Sequence, residues 1–123
     1  MPFAELNVRI DGISELQARL RRLDDGMKEQ VRYALAFEGE SIKTAAQSLC
    51  PVRTGYLRST IYAQIEDWTL KVGASAHYAA YVEFGTRFMR ARRFLARALE
   101  LRLQSLVNAV NRAIDRAIRE TAH

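Results

Sequence analysis

The chain has 123 residues, 49% apolar and 27% charged, close to globular averages, which excludes a disordered, collagen-like or low-complexity polypeptide. Cys50 is the single cysteine, so neither an intrachain disulfide nor a thiolate zinc cluster is available, and no apolar run approaches the roughly 20 residues of a membrane-spanning helix. The net charge of +5 is unevenly placed: residues 1–86 set ten basic against eleven acidic side chains, whereas residues 87–123 set nine arginines against three acids.

In chain order, Met1-Pro2-Phe3 lacks the basic and apolar stretches of a secretory leader, and a soluble protein made in a cytoplasm is expected. Leu6, Val8 and Ile10 alternate with Glu5, Asn7 and Arg9, the period of a half-buried strand. Ser14 with Gln17 reads as a capping box, followed by a helical stripe of Leu16, Leu20 and Leu23. Asp24-Asp25-Gly26 ends that helix and can cap the next, predicted from about Met27 to Leu49 with Val31, Leu35, Ile42 and Ala46 on one face. Gly39 interrupts its propensity, and Pro51 closes it by pushing Cys50 out of the helical region.

From Leu57 to Glu66 the period becomes two, and Trp68, Leu70 and Val72 repeat it, which predicts two strands joined at Glu66-Asp67. Tyr78 to Phe84 reads as a short helix stopped by a left-handed Gly85, with Tyr81, Val82 and Phe84 assigned to the core. Glu83, an acid among apolar neighbours, requires a partner, for which Arg58 and Arg87 are the candidates. The last helix runs from about Phe94 to Thr121, with Leu95, Leu99, Leu103, Leu106, Val110, Ile114 and Ala117 as its stripe and Asp115–Arg119 and Arg116–Glu120 as surface pairs. At about 40 Å it exceeds the roughly 35 Å expected of a domain this size, so part of it is expected to overhang. The fold class is α+β: one domain over residues 1–123, a small, mostly antiparallel sheet against two N-terminal helices and one long C-terminal helix.

Catalytic and metal constellations are weak. Cys50 would need His77 as its base, and a thiol in the last turn of a helix beside Leu49 and Pro51 is ordinarily packed and inert. His77 and Glu83, six residues apart, fall on different helix faces with no further ligand near, and Thr54-Gly55 lacks the lysine and preceding glycines of a phosphate loop. No enzyme, cofactor, metal or small-molecule substrate is expected. Arg87, Arg90, Arg92, Arg93 and Arg97 gather where positive charge opposes the dipole of the long helix. A negative partner is expected there, either acids of a neighbouring subunit or DNA phosphates, against the plain alternative of solvated arginines.

Three segments in order, Pro51-Val52-Arg53-Thr54-Gly55-Tyr56-Leu57-Arg58, Tyr78-Ala79-Ala80-Tyr81-Val82-Glu83-Phe84-Gly85-Thr86 and Arg93-Phe94-Leu95-Ala96-Arg97-Ala98-Leu99, carry a likeness. With them the chain resembles the tailed-phage neck and tail-component family typified by gene product ten of the Hong Kong 97 phage. The resemblance implies an α+β structural virion protein of the head–tail connection, present in the host cytoplasm during assembly. It also implies ring-like self-association, other neck and tail proteins as partners, and a place where DNA passes. Thr54, Gly55, Arg58, Tyr78, Tyr81, Glu83, Phe84 and Gly85 would then be its structural signature, marking fold elements and not a catalytic site. The family usually has proline where this chain has Arg93, which implies a more mobile Arg87–Arg93 loop. The alternative function is that of a basic, non-specific nucleic-acid-binding protein; a small toxin or nuclease is disfavoured by the missing acid–base groups.

Overall fold

A computed structural model describes residues 3–52 and 55–121. Strand β1 (Ala4–Arg9) passes through a 3₁₀ turn at Ile10–Gly12 into helix α1 (Ser14–Arg21), followed by α2 (Asp25–Leu49). A one-turn helix α3 (Tyr56–Ser59) leads to the hairpin β2 (Ile61–Glu66) and β3 (Thr69–Ala74), and then come α4 (Ala79–Phe84) and α5 (Phe94–Thr121). The three strands form one antiparallel sheet in the order β1-β3-β2. The architecture is the α+β arrangement expected.

Local chemistry accounts for most boundaries. Asp24 Oδ1 accepts the Met27 N–H at 2.9 Å and so caps α2. Cys50, extended at ψ 132°, ends that helix before Pro51. Ser14 does not cap α1; Ile13 holds that position without a side-chain bond, and its carbonyl accepts from Leu16 and Gln17, both at 2.9 Å. Leu57–Thr60, expected as strand, turns instead as a helix. Gly55 enters it at φ 84°, and the Ser59 and Thr60 hydroxyls bond back to the Tyr56 and Leu57 carbonyls.

The hairpin turn lies one residue later than expected. Glu66 pairs with Thr69, leaving Asp67 (φ 55°) and Trp68 as the two turn residues. Trp68 is nevertheless buried: its carbonyl accepts from Ile10 at 2.7 Å, and the Arg32 guanidinium lies 4.7 Å from the centre of its ring. On the opposite side of the sheet, the Tyr62 phenol lies over Gly73 and donates to Glu5 Oε1 at 2.6 Å, joining both edge strands across β3.

Helix α2 rests on the sheet and on α5. Gly39 is buried at the closest approach, where an added Cβ would stand 3.3 Å from Leu70 Cδ1. The helix continues through this glycine because a close seat on β3 compensates its poor propensity. The core runs without a break from Ala4 in β1 to Ile114 in α5. Buried residues recur in α5 as far as Ala117, so this helix, about 42 Å long, does not overhang beyond its final turns. Leu103 is the exception in its stripe, 42% exposed. Asp115 pairs with Arg19 of α1 and not with Arg119, and Arg19 also donates to Asn111 Oδ1 at 2.7 Å.

Candidate functional site

The segment from α4 to the start of α5 is assembled around Glu83. A helix of six residues has room for one buried face, and here Ala79 and Glu83, four apart, occupy it. Tyr81 and Phe84 point outward, 48% and 59% exposed, and Val82 is half-buried. The assignment of Tyr81 and Phe84 to the core is therefore overturned: the acid takes the inward position that an aromatic was expected to hold.

Glu83 is 1% exposed, and its carboxylate faces the first turn of α5. Oε1 accepts the Leu95 N–H at 2.8 Å and Oε2 the Ala96 N–H at 3.1 Å. Neither Arg58 nor Arg87 is its partner. The first bond within α5 runs from the Arg97 N–H to the Arg93 carbonyl, which makes Arg93 the residue at the cap position. An arginine side chain has no acceptor. Glu83 supplies the missing cap from another element, and its negative charge sits at the positive end of the helix dipole.

Gly85 follows at φ 77°, ψ 177°, a region essentially restricted to glycine and different from the left-handed helical cap expected. A Cβ there would lie 2.7 Å from the Ala91 nitrogen and 2.8 Å from the Met89 oxygen. The chain then makes a tight turn in which Thr86 and Met89 exchange both main-chain bonds, with Arg87 and Phe88 at its tip. The return path is tied to α4: the Arg92 N–H donates to the Val82 carbonyl at 2.8 Å and the Arg93 N–H to the Glu83 carbonyl at 3.1 Å. These bonds anchor the segment that was expected to be loose. Arg93 sits at φ 44°, which proline, locked near φ −65°, cannot adopt.

The five arginines of the cluster are all exposed. Arg93 pairs with Glu100 at 2.8 Å. Arg87 lies 5.2 Å from the ring centre of Phe88, itself 89% exposed. Among the described residues no carboxylate stands within ion-pair distance of Arg87, Arg90, Arg92 or Arg97. Of the remaining signature residues, Arg58 is exposed, and Tyr78 is half-buried between His77, edge-on at 5.1 Å, and Tyr56 at 6.3 Å. Thr54 lies outside the described residues.

Cys50 is buried and directs its Sγ to the Pro51 carbonyl at 3.4 Å. Burial pushes its thiol pKa up, against a smaller downward pull from Arg58. Such a thiol is a poor nucleophile at neutral pH. Among the described residues no group of three or more His, Cys, Asp or Glu side chains is placed to hold a metal.

Residues 14–85, more than half of the chain, match a family described as "Bacteriophage HK97-gp10, putative tail-component". The chain belongs to this HK97-gp10-like family. No curated protein and no solved structure matches the chain. The family match takes in α1 to α4 and ends at Gly85, so it contains Glu83 but neither the arginine turn nor α5. The family segment thus ends where the exposed, charged part of this site begins.

Proposed function

We propose that this protein is a structural virion component of the head–tail connection of a tailed phage or prophage. It acts by associating with copies of itself and docking to neighbouring neck or tail proteins, and it is not an enzyme. The observation that carries this reading is the family match over residues 14–85, a family of phage tail components. The turn that follows supports it. Glu83, Gly85 and the bonds from Arg92 and Arg93 hold the exposed Phe88 and arginines that have no carboxylate partner among the described residues in a defined shape. A rigid display of charge and aromatic surface suits a docking element, since little ordering entropy remains to be lost on binding.

The test is genetic and structural. Deleting the gene from an inducible phage should leave DNA-filled heads and free tails, with joined particles restored by the wild-type chain in trans. Restoration should fail when Arg87, Arg90 and Arg92 are all replaced by glutamate, although that chain remains folded. Normal yields of joined, infectious particles from the deletion would refute the proposal.

The same exposed arginines favour a second reading, non-specific contact with nucleic acid. Binding that neutralises several phosphates falls steeply with salt, with a log–log slope of about −0.9 per phosphate. A slope steeper than about −3 with duplex DNA, lost in the same triple variant, would support DNA contact.

A further inference from the structure

Two exposed aromatic patches of opposite charge lie far apart on the molecule. On α2, Tyr33 and Phe37 are 74% and 72% exposed. Glu29 and Glu40 stand with them within an arc of about 80° of the helix, all on the side away from the core. Glu40 has no cationic partner among the described residues, and Glu29 has only a long 3.8 Å contact to Arg32, which also engages Asp67. The second patch is the end of α4 with the turn after it, where Phe84, Phe88 and Met89 are exposed beside Arg87 and Arg90.

The two patches cannot meet within one chain. Phe37 borders a shallow groove with Arg112 and Arg116 of α5, whereas the turn joins α5 at Phe94. Phe94 and Arg112 are separated by about 27 Å along one continuous helix. Both patches present exposed aromatics and each carries the charge that the other lacks, and only a second molecule can bring them together.

We propose that the Phe84–Arg90 turn of one copy docks on the Glu29–Glu40 face of α2 in the next copy. Phe84 and Phe88 pack against Tyr33 and Phe37, and Arg87 and Arg90 meet Glu29 and Glu40. Arg112 and Arg116 flank Phe37 on its α5 side, so the incoming arginines approach from the side of the two glutamates. The contact uses different surfaces on the two partners and therefore propagates head to tail, closing into a ring where the angle between copies permits. This inference rests on the assembly reading above and specifies the surfaces that self-association uses.

The test uses the purified full chain. Sedimentation at low salt should show concentration-dependent association. A photoreactive benzoylphenylalanine replacing Phe37 should crosslink to residues 84–90 of an isotopically distinct copy. The pairs Glu29→Arg with Glu40→Arg, and Arg87→Glu with Arg90→Glu, should each weaken association by about tenfold or more, and all four substitutions together should restore it. Restoration also establishes that the altered chains fold. A wild-type chain that stays monomeric at about 100 μM, about a hundredfold above a Kd of about 1 μM, would overturn the docking. So would crosslinks elsewhere, or pairs whose effects simply add. A monomeric chain that still restores joined particles would overturn this docking while leaving the virion role intact.

Discussion

Glu83→Ala removes the side-chain cap of α5 and opens a site that is 1% exposed. Loss of a helix cap costs about 0.5–2 kcal/mol, and each hydrogen bond to a charged group is worth about 1.5–3 kcal/mol net. Two such bonds are lost, partly offset because no carboxylate need then be desolvated, and we expect a destabilisation of about 2–4 kcal/mol. Against a total of about 5–15 kcal/mol for a domain, this is a large fraction. Glu83→Gln keeps one acceptor but turns an NH₂ toward the second N–H, so about 1–3 kcal/mol is expected. Urea unfolding followed by circular dichroism at 222 nm measures both changes, and amide exchange at Leu95 and Ala96 localises them. Unfolding free energies for both variants within about 0.5 kcal/mol of wild type would refute the capping role, because surface-like changes fall in that range.

Three further outcomes follow from the same geometry. Gly85→Ala combines a glycine-only backbone region, about 1–3 kcal/mol, with a Cβ 2.7 Å from the Ala91 nitrogen, and should destabilise by about 3 kcal/mol or more in the same urea assay. Gly73→Ala places a Cβ 2.6 Å from the Ala4 carbonyl and 2.5 Å from the Tyr62 hydroxyl; it should disrupt β1–β3 pairing, seen as faster amide exchange in β1. Tyr62 has its pKa pushed up to about 12 from 10.0 by burial first and then by its bond to the Glu5 carboxylate. The folded state therefore holds this proton more tightly than the unfolded chain. Its contribution is complete below pH 10 and lost as pH rises through about 12. Absorbance titration at 295 nm should resolve one late phenol, absent in Tyr62→Phe.

The helices were legible because their signals are local and repeated. Leu16, Leu20 and Leu23, the α2 stripe from Val31 to Ala46, the Asp24 cap and the Pro51 stop each act within a few residues. The β2–β3 alternation was legible for the same reason, but its ends were not. Leu57 and Ser59 continue the period of two by coincidence, and the Gly55 conformation with two hydroxyl back-bonds turns them helical. The turn shifted by one residue because Trp68 is held in place by Ile10 and Arg32, residues distant in sequence.

The candidate site shows the same division. That Glu83 needed a partner follows from its apolar neighbours and the cost of an unsatisfied carboxylate. Sequence alone directed attention to arginines, the usual partners of an acid. The actual donors are two main-chain N–H groups, which every residue carries and no pattern distinguishes. A faint signal was present: α5 opens without a Ser, Thr, Asp or Asn at its cap position and has no acid in its first turn, which left its N–H groups to be satisfied from elsewhere. The outward rotation of Tyr81 and Phe84 follows once Glu83 turns inward.

By itself the sequence determined the elements and the charge asymmetry, since hydrophobic period, caps and prolines act over one or two turns of chain. Only the tertiary structure decided which face of α4 is buried, what Glu83 holds, and that Arg87 lies over an exposed Phe88 at the tip of the turn. Those outcomes depend on contacts between α4 and α5 across space, where a backbone N–H competes with an arginine on geometry that side-chain identity does not encode.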